Sequence, residues 1–280
     1  MKDYHVHPSY SADAQGSIDA YCMAALEKGI DEICFTTHLD ADPERDDCYV
    51  MVDGQRVDVY LSSWFEDYAT EIRTAGDTYL GRGLKVKMGV EVDMYHGVAE
   101  DLPDAFHRTD FDMVIGSVHL IDHLAVTVPE EAARIFQKYD SQQLGTLYYG
   151  LLNDMTETGM FDILGHIDIY RRYGEDHYDE AIHDLWNPHI NDLAHKMLKH
   201  GVGFEINTSS WRRGQKEPLP ARKIIGALLE RGVETVTVGS DAHCPRDLGS
   251  GIEQAYRLLR ECGLQSVSTF SHGEIEFVPI

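Results

Sequence analysis

Two histidines, His5 and His7, stand two residues apart in the opening segment DYHVHPSYSAD, with Asp13 six positions further on. Residues i and i+2 of an extended strand face the same side. Two neutral imidazoles placed so offer two lone pairs to one cation. The pair alone is weak evidence, because a solvated strand end has the same spacing. The pattern recurs, however. His38 follows EICFTT, Glu91 follows LKVKMGV, His119 follows DMVIGSV, His166 follows DILG, and Asp241 with His243 follows TVTVGS. Imidazoles suit Zn²⁺, Fe²⁺ and Mn²⁺, and a carboxylate can bridge two cations. Adjacent metals acidify a bound water and hold the attacking and leaving oxygens in line, which suits hydrolysis of a phosphate ester. Two arginine pairs add to this, Arg171–Arg172 after DILG and Arg212–Arg213 after a further strand-like run, GFEIN, and guanidinium groups fit phosphate oxygens. Each arginine has equally good prospects as an internal salt-bridge partner.

The elements that must position these groups can be read from periodicity. Seven short runs read as strands, starting at about Lys2, Glu32, Leu84, Asp112, Asp162, Gly203 and Thr235. Six of them end in a His, Asp or Glu. Between them lie helical stretches, among them Ser17 to about Lys28, Tyr60–Tyr79, Pro188–His200, Pro220–Arg231 and Gly251–Cys262. Pro129 to about Asn153 also reads as helix, broken near Asp140 and Ser141. Short extended pieces near Ser266–Phe270 and Ile275–Val278 close the chain. This alternation predicts one α/β domain over residues 1–280 with a parallel sheet covered on both faces. No Gly-rich loop follows the first strand, which weighs against a dinucleotide-binding doubly wound sheet. In a barrel, all strand C-termini meet at one mouth, so the scattered candidates would converge there.

Composition narrows the function classes. The 280 residues carry 48 acidic and 24 basic side chains, a net charge of −24. A chain this acidic has no general field for nucleic acid. Five cysteines without CxxC spacing argue against a disulfide framework or a zinc ribbon, and fit a reducing compartment. No apolar leader and no membrane-length apolar run is present, so a cytoplasmic location is expected. Of the fifteen histidines, His183, His189, His195 and His200 lie in or beside helical patterns and read as structural or solvated.

The segments DYHVHPSYSAD, TTHLD, GVEVD, GSVH, DILGHIDIYRRYG, EINTSSWRRG and VGSDAH, in this order, resemble the PHP (polymerase and histidinol phosphatase) superfamily, and within it the histidinol-phosphatase branch. The resemblance runs from Asp3 to about Gly251. It implies a distorted (β/α)7 TIM-like barrel with a trinuclear metal centre of Zn, Fe or Mn at the C-terminal mouth. Carried over, His5, His7, Glu91 and Asp241 would hold one metal. Glu91 would bridge to a second, held also by His119 and His166, and Asp13, His38 and His243 would hold the third. Many superfamily members have histidine in place of Asp13, and the phosphatase branch has Asp. The implied reaction is hydrolysis of L-histidinol phosphate by a metal-bound hydroxide, with Glu91, Asp241 and His243 central to catalysis and Arg171, Arg172, Arg212 and Arg213 as phosphate-binding candidates. Protonation of the leaving alkoxide by His243 ranks lower, because a ligand is poorly placed to donate. Asp40, Asp42, Tyr95, Asp122 and Trp211 lie on mouth loops that could recognise a cationic substrate. A phosphoesterase for another small monoester, nucleotide or nucleic-acid end is the alternative within the same chemistry. A metal-binding protein without catalysis is the alternative outside it. The oligomeric state is not legible.

Overall fold

Seven parallel strands form one sheet in the computed structural model, which describes residues 1–280. They are β1 (Lys2–Val6), β2 (Glu32–Leu39), β3 (Lys85–Asp93), β4 (Met113–Ser117), β5 (Ile163–Leu164), β6 (Gly203–Asn207) and β7 (Val236–Gly239). Spatial order follows chain order. A doubly wound sheet would instead reverse direction in its middle. The ends approach closure: Val6 bridges Ala242 in parallel, the His7 N–H donates to the Ala242 carbonyl at 2.9 Å, and the Asp241 N–H donates to the His5 carbonyl at 2.8 Å. The result is the expected nearly closed α/β barrel. In its register, His38 lies opposite Glu91 across β2 and β3.

The floor of this barrel is apolar. Tyr4, Cys34, Met113, Ile115, Ile163 and Phe270 form a buried cluster of their own, apart from the main core between sheet and helices. Phe270 comes from a C-terminal antiparallel hairpin, Ser266–Ser271 with Glu274–Pro279. Its N–H donates to the Tyr4 hydroxyl at 3.0 Å, which in turn meets Glu32 at the start of β2. The hairpin therefore closes the end opposite the candidate site. Pairing of β1 with β2 shifts register between Asp3 and Val6. Such a bulge re-aims side chains, and it lets Tyr4 join the floor while His5 is buried with the site residues above.

Local chemistry explains the outer elements. Ser17 caps the helix Ile18–Glu27, accepting the Ala20 N–H at 3.2 Å. The helical stretch after Pro129 does break where expected. Pro129–Lys138 ends, and Asp140 starts Ser141–Glu157 with a capping box: its carboxylate accepts the Gln143 N–H at 2.8 Å, and the Gln143 side chain accepts the Asp140 N–H at 3.0 Å. The helix expected from Tyr60 starts at Ser63, because Asp58 holds residues 60 and 61 in a turn through their N–H groups. The segment after HIDIY is a helix too, Arg171–Tyr178. Two hairpins, Tyr49–Val52 with Gln55–Asp58 and Leu120–Ile121 with Leu124–Ala125, add structure that periodicity did not announce. No helix is long and apolar enough to cross a membrane.

Candidate metal centre

Glu91, near the end of β3, is the hub. Its side chain is buried, and its two oxygens face different imidazoles. Oε2 lies 3.2 Å from His5 Nε2, 3.5 Å from His7 Nε2 and 3.1 Å from His38 Nδ1. Oε1 lies 2.9 Å from His166 Nε2 and 3.7 Å from His119 Nε2. Asp241 enters from the other side, 3.3 Å from His7 Nε2 and 3.9 Å from His5 Nε2. Asp13 lies at the outer edge, with one oxygen 3.8 Å from His38 Nε2 and the other 3.2 Å from His243 Nε2. All nine expected ligands thus lie around one point at the strand C-termini.

The arrangement fits cations better than it fits hydrogen bonding alone. His5 Nε2, His7 Nε2 and Glu91 Oε2 are buried without a hydrogen-bond partner, though they are neighbours. His119 Nε2 and His166 Nε2 approach to 3.1 Å, both beside Glu91 Oε1. Lone pairs converging in this way ask for positive charge between them. Three subsets draw their ligand atoms within 4.8 Å of one another: His5–His7–Asp241, His5–Glu91–His166 and His7–His38–His243. Burial pushes the Glu91 carboxyl up, but His5, His119, His166 and His38 outweigh it and hold it well below the usual carboxylate range. Burial, together with His38 and His243, drives His7 well below the usual imidazole range, so its ring stays neutral and its lone pair free.

The backbone that delivers Asp241 is itself unusual. Asp241 has φ +52°, a conformation that non-glycine residues rarely adopt. Arg212 braces it, donating to the Ser240 carbonyl at 2.5 Å and the Asp241 carbonyl at 2.9 Å. This corrects the expectation of Arg212 as a phosphate ligand, since its donors are turned onto the backbone beneath Asp241. Arg171 is corrected likewise. It is 3 % exposed, pairs with buried Asp168 at 2.6 Å and donates to the Pro218 carbonyl at 2.5 Å. The other member of each pair, Arg172 and Arg213, lines the mouth cavity of about 260 Å³ together with His38, Glu91, His166 and Asp241. Arg172 Nε is buried and unpartnered. Burial and the nearby Arg213 guanidinium lower its pKa from the ordinary value, a strain that an anion would relieve.

Other mouth-loop expectations divide. Asp40 lines the cavity and takes no hydrogen bond, and burial with the nearby Asp93 carboxylate pushes its carboxyl up to about 8. Asp42 is instead buried against His123 Nδ1 at 2.6 Å. Tyr95 donates to the Ala41 carbonyl, Asp122 pairs with Lys138, and the Trp211 indole donates to the Lys216 carbonyl; none of the four lines the cavity. Two buried carboxylates were missed. Asp93 meets His119 Nδ1, and Glu205 meets His5 Nδ1 at 2.7 Å. Asp93 had a signal: it stands two residues after Glu91, as His7 does after His5. Arg45 was also missed. It lines the mouth while gripping Asp47, Glu131 and the His123 carbonyl, so it stitches the rim loops together.

The PHP domain model matches residues 3–209. A probable histidinol-phosphatase of Deinococcus radiodurans is 31 % identical over 278 residues, covering 98 % of both chains. The histidinol-phosphatase of Lactococcus lactis is 24 % identical, covering 98 % of this chain and 96 % of its own. Among solved structures, the Lactococcus lactis histidinol phosphate phosphatase, complexed with zinc, L-histidinol and phosphate, superposes with a TM-score of 0.79 at 21 % identity, covering 98 % of each chain.

Proposed function

The chain belongs to the PHP domain family, and from that premise we propose that its barrel mouth hydrolyses L-histidinol phosphate to L-histidinol and phosphate, residues 1–280 acting as one catalytic domain. One observation carries the chemistry. The Glu91 carboxylate faces imidazoles on both oxygens inside the cavity that Arg172 and Arg213 also line. The substrate follows from end-to-end similarity to histidinol-phosphatases.

Three divalent cations, zinc, iron or manganese, suit the donor set. His5, His7, Glu91 and Asp241 would hold one; Glu91, His119 and His166 a second; Asp13, His38 and His243 a third. Bound there, such cations supply an acidified water and positive charge beside the phosphoryl group. The chain's own residues do the rest. Glu91 and Asp241 keep the imidazoles at fixed separation and would offset the charge of the cations. Arg172 and Arg213 grip phosphoryl oxygens and balance the negative charge that grows on them in the transition state. His243 ranks low for protonating the leaving alkoxide, because its Nε2, which faces Asp13 at 3.2 Å, would be committed to a cation and would carry no proton to give. Of the carboxyl groups at the mouth, Asp47 is gripped by Arg45, which leaves Asp40 to meet a cationic alcohol such as histidinol, whose charge would favour the ionised carboxylate there. The cavity's modest size and the chain's charge suit a small ester over nucleic acid.

The test is kcat/KM measured with metal-loaded protein on histidinol phosphate, sugar phosphates and nucleoside monophosphates. Histidinol phosphate should lead by more than about tenfold, the discrimination that a few polar pocket contacts provide. A better rate on another monoester would overturn the substrate while leaving the chemistry intact.

A further inference from the structure

Strand β6 is the one barrel strand that ends without a candidate ligand, yet it sends a carboxylate into the centre. Glu205 is fully buried, and no lysine or arginine pairs with it. A buried carboxylate is costly unless hydrogen bonds satisfy it. Here Oε1 lies 2.7 Å from His5 Nδ1. Oε2 accepts the His166 N–H at 3.1 Å and the Asn207 side-chain amide at 3.2 Å. A carboxylate can only accept, so His5 Nδ1 must carry a proton. With Nδ1 so committed, Nε2 is the nitrogen that would give its lone pair to a cation, and it is the atom that faces Glu91 and Asp241 without a hydrogen bond of its own. Room for the contact comes from Gly239 on β7. A Cβ there would stand 2.3 Å from Glu205 Oε1 and 2.3 Å from His5 Cβ.

We infer that Glu205 is a positioning residue: it fixes the tautomer and orientation of His5 and, through the His166 backbone, ties the His5 and His166 sides of the centre to one carboxylate. Outer hydrogen bonds of this kind orient ligand imidazoles and raise their basicity. The inference rests on the reading of His5 and His166 as metal ligands. It predicts that the centre weakens when Glu205 loses its double-acceptor character, even with its shape kept. Glu205→Gln has one acceptor oxygen in place of two. It can serve His5 or the His166 N–H, but not both, and an amide NH₂ turned toward His5 Nδ1 would impose the wrong tautomer. Gly239→Ala attacks the same contact from the other side with Glu205 intact.

The experiment is competition between the protein and a chromogenic chelator for Zn²⁺ and for Mn²⁺, without substrate, alongside circular dichroism and steady-state kinetics. Glu205→Gln and Gly239→Ala should each lose roughly 10- to 100-fold in affinity for the tightest ion. In both, kcat should fall while KM for the phosphate ester holds. Wild-type affinity in a folded Glu205→Gln protein, with only a lower melting temperature, would overturn the inference and leave Glu205 as a tie between β5 and β6. If Glu205→Gln fails to fold, Glu205→Asp, which keeps the charge but shortens the reach to His5 Nδ1 by one methylene, decides by the same readout. A wild-type protein that takes up no ion would overturn the ligand reading itself, and the inference with it.

Discussion

The four arginines show how neighbours one residue apart acquire different work. Arg172 and Arg213 reach the cavity, whereas Arg171 is sealed onto Asp168 and Arg212 onto the backbone of Ser240 and Asp241. Arg172→Ala and Arg213→Ala should each lower kcat/KM by about 10- to 100-fold, the worth of a charge-assisted hydrogen bond, with metal content unchanged by elemental analysis. Loss of metal along with activity would contradict a phosphate role. Arg171→Ala should behave differently. It strands the buried Asp168 carboxylate, so denaturant titration should show a loss of about 3–5 kcal/mol. Sequence could not make this division, since RR fixes neither side chain's direction. It did expose eight of the nine metal-ligand candidates, because each lies in or just past the C-terminal half of a short strand-like run; Asp13, in a loop well beyond β1, is singled out only by the resemblance to the phosphatase branch. Glu205 stayed hidden inside GFEIN, where a Glu between Phe and Ile reads as ordinary strand alternation.

At the scale of elements, the barrel strands were legible and the rim was not. Strands carry short apolar runs with a polar end, and the register that sets His38 beside Glu91 follows from parallel pairing. The hairpin Tyr49–Asp58 carries a turn signal that strand periodicity does not weigh: in YVMVDGQRVD, Asp53 and Gly54 take φ +50° and +74°, the left-handed pair of a tight hairpin turn. The helix starting at Arg171 has no sequence signal at its start, because Tyr170 makes no side-chain cap. The break between the helices Pro129–Lys138 and Ser141–Glu157 was visible because Asp140 and Gln143 form a capping box. Removing that cap by Asp140→Ala should cost about 1 kcal/mol, read as a lower melting temperature, with kcat and KM unchanged. An unaffected melting temperature would mean the second helix is held by packing alone.

The whole molecule couples a strongly acidic surface to a centre that concentrates imidazoles, and its stability should follow pH accordingly. Asp162, on the approach to β5, offers a test away from the metal ligands: burial pushes its carboxyl up to about 6 against 3.8 in the open chain. Between roughly pH 4 and 6 the folded protein therefore keeps a proton that the unfolded chain releases, and stability falls as pH rises through that window. Asp162→Asn should remove this loss. The variant should gain on the wild type from pH 4 upward and level off above pH 6, measured by denaturant midpoints; parallel curves would refute the buried-acid assignment. The central claim, that cations gathered around Glu91 and the phosphate-facing arginines make this barrel a histidinol phosphate hydrolase, is tested most directly by one assay. Inorganic phosphate released from L-histidinol phosphate is followed before chelation, after chelation, and after return of Zn²⁺, Mn²⁺ or Fe²⁺. The account predicts turnover that chelation abolishes and a returned metal restores. Undiminished turnover in the chelated protein, or no turnover in the fully metal-loaded protein, would contradict it.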